Sequence, residues 1–238
     1  MYTILLLDCG SRLIRELTLA TTASNVQVIT WTMPIRGVDT PEGALNPVLT
    51  MEKLKELQPD GIIFSGSGHY VYTQEGRIPS SGFLEYIIKE RIPLLGICYG
   101  HQLLGYLFNE LFGDAKIRVI STNPSGKHEL SSSKLNPMKF PWNYHKYPTQ
   151  TLFSGLPAEF DVWMYHRHQI CILPSQLVVV GGTTETPISA VMYPHPNIAE
   201  PFIFGMQFHP ETSPQMTKEC IFQNFRDKCI KFHAQRTN

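Results

Sequence analysis

The segment Leu94-Leu95-Gly96-Ile97-Cys98-Tyr99-Gly100-His101-Gln102 constrains the fold more than any other part of the chain. A short apolar run ends at a glycine, a residue with a nucleophilic side chain stands two positions on, and a second glycine opens a helical pattern. This spacing follows the logic of a strand-to-helix elbow, in which a strained turn exposes one side chain and flanking glycines relieve the crowding. A strand feeding directly into a helix is also the building unit of an α/β sheet. A thiol at that position meets the positive end of the helix dipole, which favours thiolate over thiol. The backbone N–H of Tyr99, just past it, is suited to an oxyanion. Free cysteines are more often small buried hydrophobes, but the glycines and the strand-to-helix context favour the nucleophile here.

The rest of the chain alternates in the same way. Strands are expected over 2–8, 26–31, 61–65 and 93–97, with helices over 12–23, 51–57, 83–91 and 100–112. Residues 41–47 read as loop. The later half is richer in strands, at 161–165, 177–181, 188–193 and 202–208. An amphipathic helix over 214–233 closes the pattern. Between 123 and 150 periodicity dissolves among prolines, serines and the aromatics Phe140, Trp142, Tyr144 and Tyr147. Two readings of that stretch stay open: aromatics packing a long loop onto the domain, or a docking surface for a partner. With no repeat or linker, a single domain over 1–238 is expected. Its fold class is α/β: a doubly wound, mostly parallel sheet with flanking helices on both faces and a few antiparallel edge strands.

A second informative segment is Phe204-Gly205-Met206-Gln207-Phe208-His209-Pro210-Glu211. A strand ending near Phe208 puts His209 at a carboxyl edge, where α/β sheets hold ligands. His209 and Glu211 are two apart and share a face of an extended chain. A carboxylate there can orient the imidazole while its other nitrogen faces the thiol, giving a Cys-His-carboxylate arrangement. A third segment, Phe64-Ser65-Gly66-Ser67-Gly68-His69, is a small-residue turn after a strand. Its backbone can approach a ligand closely and supply a second oxyanion donor. It lacks the Lys-Ser/Thr ending of a phosphate-binding loop.

Composition removes several classes. Twenty basic and twenty acidic residues give a net charge of zero, so no electrostatic footprint for nucleic acid or an anionic membrane exists. The apolar run at the N-terminus is too short to span a bilayer and lacks a basic flank and cleavage site. Five dispersed cysteines, without a C-x-x-C pair, argue against a disulfide framework or zinc site and for a reducing cytoplasm. The nine histidines show no ligand spacing beyond Tyr165-His166-Arg167-His168, where alternation on a strand suits a pocket wall better than a metal. No cofactor or metal is expected.

Taken in order, these segments resemble the class I glutamine amidotransferases, whose signatures are a small-residue turn, G-[IV]-C-x-G-x-Q and F-H-P-E. Residues 96–102 and 208–211 match them position by position. Within the family the likeness is to the glutaminase part of GMP synthases. Leu7-Asp8-Cys9-Gly10-Ser11 resembles their opening L-D-F-G-S, and Asp161-Val162-Trp163-Met164-Tyr165-His166 resembles their V-W-M-S-H. The resemblance implies a Cys98 thioester, His209 as general base and acid, and Glu211 as its orienter. It implies amides of Ser67 and Tyr99 in the oxyanion hole. Gly66, Gln102, Tyr165, His166 and Arg167 would then hold the substrate.

The sequence also departs from that pattern. Ser67 stands where the family's S-G-G-P turn has glycine, a cost only if its backbone takes a positive φ. Arg167 replaces a small residue, and either grips a carboxylate or points into solvent. His101 stands where GMP synthases usually carry methionine. The sequence holds no S-G-G-x-D-S loop and no Walker motif, so the ammonia acceptor is expected on a separate synthase. Two alternatives remain: a free-standing γ-glutamyl peptide or amide hydrolase, and a non-catalytic regulatory subunit. The second gives the Cys98, His209 and Glu211 trio no purpose.

Overall fold

The computed structural model describes residues 1–35, 46–73, 76–80, 82–113, 118–121, 131–137, 151–198 and 200–237. Most of the loop expected over 41–47 lies outside them. So does the 123–150 stretch apart from 131–137, including Trp142 and Tyr144 and hence the docking-surface expectation.

The chain begins with β1 (Tyr2–Asp8), α1 (Ile14–Thr21), β2 (Val26–Thr32), α2 (Met51–Leu57) and β3 (Gly61–Phe64). It continues through α3 (Phe83–Glu90), β4 (Leu94–Ile97), α4 (Tyr99–Phe112), β5 (Arg118–Ser121) and β6 (Ser131–Pro137). The last part holds β7 (Phe160–Met164), β8 (His168–Ile172), β9 (Val178–Gly182), β10 (Ala190–Met192), β11 (Ile203–Met206) and α5 (Gln215–Thr237).

Among the described residues the main sheet has the order β2-β1-β3-β4-β11-β10-β9-β6-β7. Its first five strands are parallel. The remaining four continue it in antiparallel fashion. The parallel half has the strand order of a flavodoxin-like sheet, with its switch point beside β1. β5 and β8 form a separate antiparallel ribbon.

Continuous apolar runs make this half possible, because both faces must be covered. Leu5, Leu7, Phe64 and Leu94 pack beneath Leu54 of α2, Phe83 and Ile87 of α3, and Leu103, Leu104 and Phe108 of α4. The alternate residues Ile4, Leu6, Ile63 and Leu95 meet Leu17 of α1 and Ile221, Phe222 and Phe225 of α5. Ile4 through Leu7 have no exposed surface; each such side chain contributes roughly 1.5–3 kcal/mol through burial. Helices α2, α3 and α4 end where the chain turns left-handed, at Gln58 (φ 46°), Arg91 (φ 61°) and Gly113 (φ 69°). Four segments therefore leave the carboxyl edge side by side: those after β1, β3, β4 and β11.

Candidate active site

Cys98 joins β4 to α4 with φ 53° and ψ −101°. That conformation is rare outside glycine and costs on the order of 1–3 kcal/mol unless its surroundings fix it. Here they do. The Cys98 N–H donates to the Met206 carbonyl at 2.7 Å, and the Cys98 carbonyl accepts from the Gln102 N–H at 3.2 Å. The glycines have a steric reason. A Cβ on Gly96 would stand 2.4 Å from the Gly100 carbonyl oxygen, and one on Gly100 2.6 Å from that of Phe64. The helix can start this close to the strands only without those side chains.

β11 runs parallel to β4 with Met206 opposite Ile97. The chain beyond it therefore enters the space beside the elbow. The His209 N–H donates to the Trp163 carbonyl at 2.9 Å, which fixes the backbone. Its Nδ1 lies 2.7 Å from Glu211 Oε1, and both side chains are buried. Its Nε2 is also buried, with no nitrogen or oxygen partner among the described residues, and Cys98 neighbours the ring. Burial alone would lower the His209 pKa. The Glu211 carboxylate and the charge of the neighbouring Cys98 outweigh it and hold the pKa well above 6.5. Gly66 explains the small-residue turn: a Cβ there would be 3.0 Å from His209 Cε1 and 3.6 Å from the Cys98 Cβ.

A cavity of about 320 Å³ opens above these groups. It is lined by Ser67, Cys98, Gln102, His209 and the whole segment Tyr165-His166-Arg167-His168. Arg167 thus reaches the cavity instead of turning away from it. His166 is held neutral, its pKa pulled down to about 4 by burial, and its Nε2 lies 3.5 Å from Thr186 Oγ1. The Tyr165 carbonyl is 3.6 Å from Cys98 Sγ. Gln102 donates twice from Nε2, to the His168 carbonyl at 2.7 Å and to Gln207 Oε1 at 3.2 Å.

Two sequence departures have structural answers. Ser67 is not among the described residues with positive φ; Cys98 takes that conformation instead. The serine at 67 therefore carries no left-handed penalty. His101 is fully buried against Gly205, where a Cβ would lie 2.6 Å from its Nδ1. Its Nε2–H donates to the Ile188 carbonyl at 3.2 Å, and burial lowers its pKa to about 3, so it packs as a neutral ring.

Sequence reasoning missed two contributors. The loop after β1 brings Gly10, Ser11, Arg12 and Leu13 to the cavity, tied down by Asp8 Oδ1, which accepts from the N–H groups of Gly10 (2.8 Å) and Ser11 (2.9 Å). The Leu7–Ser11 likeness to the L-D-F-G-S opening was the available signal. The other is Gln207, buried under the thiol, which no sequence pattern singles out. Among the described residues, no group of three His, Cys, Asp or Glu side chains could hold a metal ion, and no helix is long and apolar enough to cross a membrane.

Fold and turn together define a flavodoxin-like α/β protein with a buried cysteine elbow beside a histidine–carboxylate pair. Residues 5–229 match the model of the class-I glutamine amidotransferases, and the chain belongs to that family. It is 33% identical over 180 residues to the glutamine-hydrolyzing GMP synthase of Thermosipho melanesiensis, and 31% over 177 residues to that of Streptococcus pyogenes. These alignments cover 76% and 74% of this chain and 29% of each relative, so the chain spans less than a third of their length. A structure from Thermoplasma acidophilum, provisionally assigned as one of the subunits of a GMP synthase, superposes with a TM-score of 0.68 at 20% identity, covering 100% of this chain and 98% of that one. PurLQS from Thermotoga maritima gives 0.61 at 14% identity, covering 98% and 100%.

Proposed function

We propose that the protein is a glutaminase that hydrolyses the side-chain amide of glutamine and hands the ammonia to a separate synthase. The observation carrying this reading is the convergence of Cys98, strained at its elbow, with the buried His209–Glu211 pair at 2.7 Å. The Cys98 thiolate attacks the amide carbon. The oxyanion so formed takes hydrogen bonds from the N–H groups of Ser67 and Tyr99. His209, protonated and oriented by Glu211, gives its proton to the departing nitrogen; ammonia leaves and a γ-glutamyl thioester remains. Neutral His209 then takes a proton from water, whose oxygen attacks the thioester, and the collapse returns glutamate and the thiolate. Gln102, Gly66, Tyr165, His166 and Arg167 hold the amino-acid end of the substrate.

The acceptor reading rests on the GMP synthase relatives, of which this chain spans the part alike in sequence. A synthase of that type on another polypeptide is the proposed partner, in a reducing cytoplasm that suits five free cysteines. One observation favours a second substrate class. Two arginines, Arg12 and Arg167, line the cavity, while glutamine offers one carboxylate; a γ-glutamyl dipeptide offers two. Ammonia and glutamate release from glutamine, against amino-acid release from a γ-glutamyl dipeptide, separates the two, with Cys98→Ala as control. Turnover of glutamine alone supports the glutaminase, and turnover of the dipeptide alone replaces it with the hydrolase.

A further inference from the structure

Beneath the thiol lies a chain of side-chain amides whose polarity is fixed from one end. The His168 carbonyl can only accept, so the Gln102 group 2.7 Å from it must be its NH2. The second hydrogen of that NH2 meets the Gln207 side chain at 3.2 Å, so Gln207 presents its oxygen there. Its own NH2 is thereby turned the other way, to 3.6 Å from Cys98 Sγ. The orientation of an amide is normally assigned from its network, and here the network leaves one choice. Gln207 has no exposed surface, and its N–H donates to the Ser189 carbonyl at 2.7 Å. With its oxygen held by Gln102, the side chain keeps its NH2 on the sulfur.

From this arrangement we propose that Gln207 is a catalytic residue, a fixed N–H donor that stabilises the Cys98 thiolate, with Gln102 as the positioning residue that locks its polarity. The proposal rests on Cys98 being the nucleophile. In the thiol form the S–H proton has an acceptor in the Tyr165 carbonyl, 3.6 Å away. When that proton leaves, the Tyr165 oxygen can no longer help, and the Gln207 NH2 is the neutral donor that remains on the sulfur. A hydrogen bond to a charged acceptor is stronger than one to a neutral acceptor, so the contact favours ionisation. Gln102 thus serves two ends: its NH2 holds Gln207, and its Oε1 remains for the cavity. Because the chain starts at His168, the first residue of β8, the state of the thiol is tied to where that strand lies.

The test is the pH dependence of Cys98 alkylation by iodoacetamide, located by peptide mass spectrometry, in wild type, Gln207→Met and Gln207→Glu. Methionine keeps the length and apolar volume of the side chain without a donor; glutamate keeps the shape and places an oxygen on the sulfur. The alkylation profile is expected to move to higher pH by about one unit in Gln207→Met, lowering the rate at pH 7 about tenfold, and further in Gln207→Glu. A Gln207→Met profile that superimposes on the wild type would overturn the proposal, because a packing role alone leaves it in place. Should both variants fail to fold, the side-chain NH2 resonances of Gln207 in the wild type decide it. They must shift with the ionisation of Cys98 and stay flat in Cys98→Ala; flat resonances in the wild type refute the contact. Alkylation needs no turnover, so the readout stands whether or not the isolated protein hydrolyses glutamine. Loss of activity in Cys98→Ala with unshifted Gln207 variants would keep the nucleophile and remove Gln207.

Discussion

Among the described residues two histidine–carboxylate pairs of nearly equal length stand at opposite edges of the sheet, and their surroundings differ. At the carboxyl edge His209 and Glu211 meet at 2.7 Å with side chains 4% and 0% exposed. At the amino edge His233 of α5 and Asp60 meet at 2.9 Å, the histidine 33% exposed. The difference lies in what else each carboxylate holds. Asp60 also accepts from Arg236 Nη2 at 2.8 Å and from the Thr3 N–H at 2.8 Å. Its charge is divided among three donors and ties α5 to the start of β1. Among the described residues Glu211 has one side-chain partner and its Oε2 makes no hydrogen bond, so its field acts chiefly on one imidazole that also neighbours a thiol. A histidine beside a carboxylate becomes a reactive group when water and competing cations are excluded; otherwise it is a fastener.

Substitutions at the two edges should therefore separate activity from stability. The largest effect is expected at the nucleophile: Cys98→Ala should lower kcat by about 10⁴-fold or more, with the circular dichroism spectrum unchanged. His209→Ala should follow at about 10³-fold, the scale of lost acid–base catalysis. Glu211→Gln should cost about 10²-fold and should change the titration of His209 itself. In the wild type the Glu211 carboxylate and the neighbouring Cys98 outweigh burial and raise the His209 pKa well above 6.5. The stability contributed by the pair is complete below about 6.5 and lost as pH rises through the folded value. Without the carboxylate, burial governs and the ring should lose its proton below 6.5, which NMR of the imidazole would record. A ring still protonated at neutral pH in that variant would contradict the role given to Glu211. The smallest effect on turnover belongs to the other edge. Asp60→Asn should leave kcat unchanged and lower stability by about 1–2 kcal/mol, a fall in Tm of roughly 2–6 °C by calorimetry. Comparable losses of activity at both edges would dissolve the contrast.

The same contrast marks what could be read from the sequence. β1 and α2 were expected at their observed bounds, because a run of buried apolar residues and a helix with its cap carry local signals. α5 runs to Thr237, four residues past its expected end, since His233 and Arg236 are anchored on Asp60, a contact 173 and 176 residues away in sequence. β8 was not expected at all. Its pattern has one buried residue, Ile170, and its partner is the distant β5, so no periodicity announced it. β6 is Ser131-Ser132-Ser133-Lys134-Leu135-Asn136-Pro137, a poor strand former held by its neighbours β7 and β9. At the site, Cys98 and the His209–Glu211 pair were legible because an elbow and an i, i+2 pair are local patterns. Gln207 was not, because its partners come from α4 and from the elbow and meet only in the folded sheet.

The central claim is that Cys98 carries the γ-glutamyl group of glutamine as a thioester. Mixing the purified protein with glutamine, quenching in acid within the first turnovers and measuring the intact mass tests it directly. The mass should rise by one glutamyl group located on the Cys98 peptide, accumulate further in Glu211→Gln if hydrolysis of the thioester becomes slower, and be absent in Cys98→Ala. An adduct on exposed Cys171, or ammonia released at an undiminished rate by Cys98→Ala, would contradict the account.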